Sequence, residues 1–294
     1  MSDYVALNGE IIPYDQARIA PFDSGFLHGI GLFETMRAVR GTVPLLALHL
    51  ARLHTSAREL DLPVELDTNA VAALVSELLE ANDLSDARIR LTVSHGDMMA
   101  ADSESPDPPR TVLISAAPFT PYPPQLYEKG MTVEISGYYQ NPTSPICGHK
   151  TTSYLDRMFA LRTAQKAGAG EALWFTVAEK WLAEGCISNV FLVDKNGQIL
   201  TPPLTTPGKP EHRLILPGIT RQRVIDLAPG VGLSIQEKTL RIEDVLTASE
   251  IFITNAVIGI MPIVRVERHP VANEIPGEIT IRLRQSLIAI EQKR

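Results

Sequence analysis

"SPICGHKTTSYLDRM", Ser144 to Met158, sets a lysine between a Gly-His pair and two threonines, at the mouth of a segment with helical spacing. A lysine at a helix start is ordinarily a solvated charge. One that carries chemistry needs partners elsewhere in the chain, and finding them decides the fold into which the rest of the sequence is read.

The 294 residues, 45% of them apolar, supply enough material for two domains or one large one with a real core. A formal charge of -7 gives no general basic field, which argues against nucleic acid or an anionic membrane surface as partner and for small molecules. The two cysteines, Cys147 and Cys186, make no disulfide framework and no C-x-x-C spacing, so a reducing cytoplasm is the natural setting and no metal site is expected. "MSDYVALNGEII" lacks the basic and apolar regions of a signal peptide. The most apolar window, Ile251 to Val264, is broken by Thr254 and Asn255 and falls short of the roughly 20 residues a bilayer span needs. The protein is read as soluble.

Upstream of the lysine, Asn8-Gly9 between short apolar runs signals a hairpin. Leu46, Leu50, Leu53 and Leu60 share one face of a predicted helix over Leu45 to Leu62, and a second helix follows, opened by Thr68 or Asn69 as a cap. "ARIRLTVSHG" and "RTVLISAAPF" read as strands around a polar, Pro-rich loop over Asp97 to Pro109. Ala117 to Gly130 carries four prolines and reads as a stiff extended connector, so the domain boundary is placed near residue 120. Beyond it come strand "MTVEISGYY" and a helix from Ser153 with an apolar face of Leu155, Met158, Phe159 and Leu161. Strands "EALWFTVAE", "WLAEGCISNVFLVD" and "QILTPP" follow, then helix "GITRQRVIDLA", strand-like "LSIQEKTL", a short helix near "RIEDVLTA", strand "IFITN" and a final helix from about Gly277.

Three residues cohere. Lys150 can form a Schiff base, Glu184 can hold a pyridine nitrogen protonated, and Arg52 can grip a phosphate. Taken singly, each has a bland reading as an exposed charge, a strand-end charge or a helix arginine. "LPGITRQRV" adds a Gly-containing turn into a helix N-terminus at Gly218, Ile219 and Thr220, where backbone N–H groups and the macrodipole favour an anion.

On these residues, and on "GLFETMRAVRGTVPLLALHLARLHTSARELDL", "EGCISNVFLV", "ILTPPL", "LPGITR" and "FITNAVIGIMPI" in the same order, the chain resembles the class-IV aminotransferases. These are fold type IV pyridoxal phosphate enzymes. The resemblance implies an α+β two-domain architecture, with a small N-terminal α+β domain over 1–120 and a larger, barrel-like α/β cofactor-binding domain over 121–294. It also implies a homodimer. Lys150 would carry pyridoxal 5'-phosphate and shuttle a proton, Glu184 would pair with the pyridine nitrogen, and Arg52, Ile219 and Thr220 would bind phosphate. Ser188, Asn189 and Asn255 would lie beside the cofactor, and Tyr154 near the cofactor or the substrate.

Three reactions share this machinery: transamination of a branched-chain amino acid, transamination of a D-amino acid, and release of pyruvate and 4-aminobenzoate from 4-amino-4-deoxychorismate. For the branched-chain type, Arg37 and Arg90 resemble arginines kept by such enzymes, Arg90 as a partner of the α-carboxylate, and Tyr154 suits that class. Against it, Thr35 replaces a glycine, His28 a tyrosine, and Ala256 a phosphate-binding threonine. "FET" and Asn255-Ala256 resemble the lyase branch, and His95 stands where the D-amino acid type has an arginine. The expectation is a branched-chain-type aminotransferase, with the lyase second, the D-amino acid enzyme third and a non-catalytic cofactor binder remote.

Overall fold

A computed structural model describes residues 3–62, 64–100 and 110–292. The chain divides into two compact units, Met1–Thr120 with His149–Ser153, and Pro121–Gly148 with Tyr154–Arg294. The architecture is α+β.

In the first unit, β1 (Tyr4–Leu7) and β2 (Glu10–Pro13) form the expected hairpin; Asn8 (φ 52°) and Gly9 (φ 91°) both take the left-handed backbone that a tight two-residue turn requires. There follow α1 (Ser24–His28), β3 (Gly31–Ala38), α2 (Leu46–Glu59), α3 (Thr68–Ala81), β4 (Ala87–Ser94) and β5 (Thr111–Pro118). The strands pair antiparallel in the order β2-β1-β5-β4-β3. On β3, Leu32, Met36 and Ala38 point into a core that also takes Leu46, Leu50 and Leu53 of α2. Strand alternation puts Glu34 on that same buried face. The cap of α3 is Asp67, whose Oδ1 accepts from Ala70 N at 2.8 Å, and not Thr68 or Asn69, which lie inside the helix. The carboxylate is the stronger acceptor for an orphan N–H. From residue 101 to 109, the expected Pro-rich loop lies outside the described residues.

The second unit contains α4 (Pro124–Lys129), β6 (Met131–Gln140), α5 (Leu155–Lys166), β7 (Glu171–Thr176), β8 (Leu182–Gly185), β9 (Asn189–Val193), β10 (Ile199–Thr201), β11 (Thr205–Thr206), β12 (Lys209–Arg213) and α6 (Ile219–Leu227). After these come β13 (Ile235–Glu237), α7 (Ile242–Thr247), β14 (Glu250–Asn255), β15 (Gly259–Val266), β16 (His269–Pro270) and α8 (Glu278–Gln292). The main sheet runs β13-β10-β9-β14-β15-β6-β7-β8, with β16 on β15 and a separate β11-β12 pair. β6 lies parallel to both β7 and β15. Both faces of the central strands are packed. Ile251 and Ile253 of β14 enter one cluster, while Phe252 stacks on Phe191 at 4.7 Å between centroids in another, where Val224 of α6 and Leu283 and Leu287 of α8 also lie. Burial on two faces is why these strands read as continuous apolar runs.

Three expectations differ from the structure: those for the connector, for "WLAEGCISNVFLVD" and for the face of α5. The connector over 117–130 is not extended throughout: its first residues end β5, and Pro124 at a first helical turn starts α4. "WLAEGCISNVFLVD" is two strands, parted at Cys186–Ser188. The apolar window from Ile251 holds the expected strand "IFITN" as β14, paired with β15 in a hairpin. On α5, Leu155, Met158 and Phe159 are exposed, and the buried residues are Ala160, Leu161 and Ala164. Small side chains let α5 approach Trp174 of β7 closely, which leaves the bulkier ones at the flanks. None of the described helices is long and apolar enough to cross a membrane.

Candidate active site

Lys150 does not sit at the mouth of α5. It belongs to a strap, His149–Ser153, laid along β3: Phe33 N donates to Lys150 O at 2.9 Å, Thr152 N to Gly31 O at 2.9 Å, and Thr152 Oγ1 to Gly29 O at 2.7 Å. On the other side, the His149 ring lies 2.9 Å from Ser56 Oγ and 3.5 Å from Glu59 Oε2, both on α2. With backbone bonds on one side and a side-chain anchor on the other, the lysine's base is immobilised. Its amine is directed by an aromatic ring, with Nζ 4.4 Å from the Phe33 centroid. The Arg90 guanidinium lies 3.8 Å from the same centroid, so one ring gathers Lys150 and Arg90.

Beneath Phe33 on the opposite face of β3 is Glu34, 1% exposed. It accepts from Arg52 Nε at 2.8 Å, from Arg52 Nη2, and from His49 Nδ1 at 2.8 Å. An ionised carboxylate only accepts, so Nδ1 of His49 carries the proton. Burial pushes the Glu34 carboxyl up, but the Arg52 charge and the bonds from His49 and Arg52 outweigh it and hold it at about 2. Burial holds His49 below its ordinary value against the pull of Glu34, and the positive charges of Arg52 and Lys150 add to that depression.

Both shifts have the same consequence in acid. Each group's folded value lies below its unfolded one, so the stabilisation is present above the unfolded value and is lost as pH falls through the folded one. The loss starts near pH 6.5 for His49 and near 4.5 for Glu34, the latter contributing on the order of 3 kcal/mol. Thermal melts of the apoprotein should therefore fall steadily from pH 6.5 to 3, and Glu34→Gln should flatten the part below 4.5. An unchanged acid limb in that variant would refute the assignment.

In the second unit the focus is Glu184 on β8, 3% exposed. Its Oε1 accepts from Arg157 Nη2 at 2.7 Å; its Oε2 accepts from Leu216 N at 3.0 Å and Asn189 Nδ2 at 3.4 Å. Arg157 is held in turn by Gln140 Oε1 at 2.6 Å and by the carbonyl of Gly185 at 3.0 Å, and burial is overcome by Glu184 and its neighbours so that its charge is secured. Asn189 also donates to Leu216 O at 3.0 Å. A side chain at Gly218 would meet Asn189 Oδ1 at 1.8 Å, so only glycine allows this approach to the N-cap of α6. Ile219 and Thr220 then open α6 with no side-chain cap, both buried, and their N–H groups are the ones a helix leaves without an intrahelical acceptor.

The remaining candidates fall as follows. Ser188 donates its hydroxyl to buried Glu171 at 2.8 Å, and Asn255 closes its own turn, accepting from Val257 N and Ile258 N. Tyr154 donates to Cys186 O at 2.7 Å. Thr35 faces Arg90 in register; Arg37 lies over Phe119 and 3.9 Å from Asp86; His28 is exposed at the end of α1. In the first unit Lys150 and Arg90 meet at Phe33, whereas Arg37 is engaged elsewhere along β3. In the second unit Glu184, Asn189 and the start of α6 form one network.

Four residues escaped the sequence reading: Glu34, His49, Arg157 and Glu171. An acid among Leu32, Phe33 and Met36 on a strand was the available signal for Glu34, as it was for Glu171 between Gly170 and "ALWF". His49 and Arg52 lie three apart on α2, hence on one helical face. Burial raises the Glu171 carboxyl even though Ala172 N, Cys186 N, Ile187 N and Ser188 Oγ all donate to it. Nothing in the sequence signals Arg157.

Residues 31–266 match the family model for amino-transferase class IV. The chain is 34% identical to a putative branched-chain-amino-acid aminotransferase of Methanocaldococcus jannaschii, over 98% of this chain and 96% of that one. It is 32% identical to an aminodeoxychorismate lyase of Bacillus subtilis, over 90% and 86% of the two chains. Among solved structures, the branched-chain amino acid aminotransferase of Escherichia coli superposes with a TM-score of 0.88 at 25% identity, covering 99% of this chain and 95% of its own.

Proposed function

This chain belongs to the class IV aminotransferases, a family of pyridoxal phosphate enzymes, and from that membership we propose that it moves an amino group between a branched-chain amino acid and a 2-oxo acid with the cofactor held on Lys150. The observation that carries the cofactor assignment is the Glu184 cluster. A carboxylate has about four acceptor directions. Arg157, Asn189 and Leu216 N take three, leaving one on Oε1 for a ring N–H. Each unit offers groups of the kind the cofactor needs: in the first a primary amine on an immobilised strap, in the second a buried carboxylate and an uncapped helix N-terminus suited to phosphate.

Bound there, pyridoxal phosphate supplies an electron sink for the charge left when an amino acid loses its Cα proton. The chain does the rest. Lys150 Nζ holds the cofactor and then takes and returns that proton, a task for which the strap fixes its base and Phe33 its direction. Glu184 keeps a proton on the ring nitrogen through its negative charge, which Arg157 secures. Arg52 and the first N–H groups of α6 neutralise phosphate. Arg90, set on Phe33, is placed to pair with the α-carboxylate of the substrate.

The M. jannaschii relative, matched along nearly its whole length, supports the branched-chain class. One observation favours lyase chemistry as the second reading. Asn255 spends its carbonyl on the turn and Ala256 has no hydroxyl to offer, the pattern that resembles the lyase branch, and a lyase is among the relatives. Mixing purified holoenzyme in turn with L-Leu, L-Glu, D-Ala and 4-amino-4-deoxychorismate separates the readings. L-Leu and L-Glu should each bleach the visible cofactor band and yield the 2-oxo acid, with D-Ala inert. Pyruvate and 4-aminobenzoate from the last compound, with no spectral change from the amino acids, would overturn the aminotransferase assignment.

A further inference from the structure

We infer that Glu34, itself held by His49, is the positioning residue that aims Arg52 at the cofactor phosphate. The inference rests on the proposal that Arg52 takes that phosphate. Arginine binds oxyanions through a planar fork, so its usefulness depends on which edge of the guanidinium faces the ligand. In this chain the edge formed by Nε and Nη2 is spent on the two Glu34 oxygens, one partner for each. Pairing at that edge fixes the plane and turns the opposite edge, carrying Nη1, away from Glu34. An arginine free to rotate about four side-chain torsions has no such fixed edge.

The clamp is built to hold. Glu34 is 1% exposed on the core face of β3, between Leu32 and Met36, where an isolated charge would be costly. His49, 2% exposed and one helical turn before Arg52 on α2, donates to Oε2. Carboxylate, imidazole and guanidinium thus form one unit whose parts cannot move singly without leaving a buried polar group unmatched. Two effects of Glu34 on an anion oppose each other. Its negative charge weakens the attraction that Arg52 exerts, while its grip fixes the direction. The charge effect is spread over distance and reduced by Lys150 nearby, whose positive charge acts on His49. Bidentate geometry, in contrast, is lost altogether when the guanidinium turns. Orientation therefore dominates.

Pyridoxal and pyridoxal phosphate differ only at the phosphate, so the ratio of their dissociation constants from the apoprotein isolates this contact. A fold defect lowers both affinities and leaves the ratio alone. Arg52→Met should cut the ratio about thirtyfold, the range of a charge-assisted contact. Glu34→Gln should cut it about tenfold, and Glu34→Asp should restore part of the loss. His49→Gln, which keeps the Arg52 pairing but loosens Glu34, should cut it about threefold, and it decides the question if Glu34→Gln does not fold. A ratio that falls in Arg52→Met but stays at the wild-type value in Glu34→Gln, or in His49→Gln when that variant stands in, overturns the positioning role alone. A ratio unmoved by Arg52→Met overturns the phosphate assignment, and this inference with it.

Discussion

Lys150→Ala should lose aminotransferase activity by at least ten-thousand-fold, roughly the upper end of what one positioned acid-base group contributes, because the same amine is proposed to hold the cofactor as well. Borohydride treatment followed by mass analysis gives the direct check. Wild type should retain the cofactor covalently on the peptide containing Lys150, and the variant should retain none. The fold should survive, since the contacts that hold the strap are made by the backbone at residues 150 and 152 and by the His149 ring, all of which the substitution leaves in place. The approach of the side chain to Phe33 contributes about 0.5–1 kcal/mol, as for a cation over a ring. A covalent adduct persisting in Lys150→Ala would sink the assignment.

Glu184→Ala should bind cofactor and turn over about a hundred- to ten-thousand-fold more slowly, the loss falling on kcat rather than KM. The reason is that the substitution removes the charge that stabilises a protonated ring while leaving the Lys150 amine and the Arg52 guanidinium in place. It carries a second cost. The Arg157 guanidinium is held by Glu184 and by Gln140 and Gly185, and removing one partner of a buried ion pair destabilises by about 3–5 kcal/mol. Glu184→Gln narrows the second effect while removing the charge, for its one carbonyl can still accept from Arg157, with the amide NH2 left to face Leu216 N. If Glu184→Gln retains wild-type kcat, the carboxylate does not act on the ring nitrogen.

What the sequence reveals of the fold and the site depends on the kind of signal. The hairpin at Asn8-Gly9 and the leucine face of α2 are legible because they follow from local backbone preference and from period. The α5 face is misread because period alone cannot say which apolar residues go inward; Ala160 and Ala164 are chosen by the closeness of Trp174, a fact of tertiary packing. The strap is misread for a related reason. Lys150 stands four residues before Tyr154, next to helical spacing, yet its backbone is claimed by β3, more than a hundred residues earlier. Among site residues, Lys150, Glu184 and the "LPGIT" turn are visible through the chemistry they suggest together. Arg157, which secures Glu184, is one more arginine on a polar helix face until the carboxylate that it meets is known.

The strap also bears on how the chain is made. Residues 149–153 complete the first unit, but they are synthesised after the first strand of the second has emerged. At about 5–20 residues per second, a ribosome that has finished residue 120 adds residue 153 roughly two to seven seconds later. Through that interval the Phe33 N–H on β3 lacks its acceptor, and the nascent sheet offers an open edge of the sort that recruits other chains. The lysine proposed for chemistry thus rides on the segment that closes this edge, so a nascent chain without its seal also lacks its reactive amine.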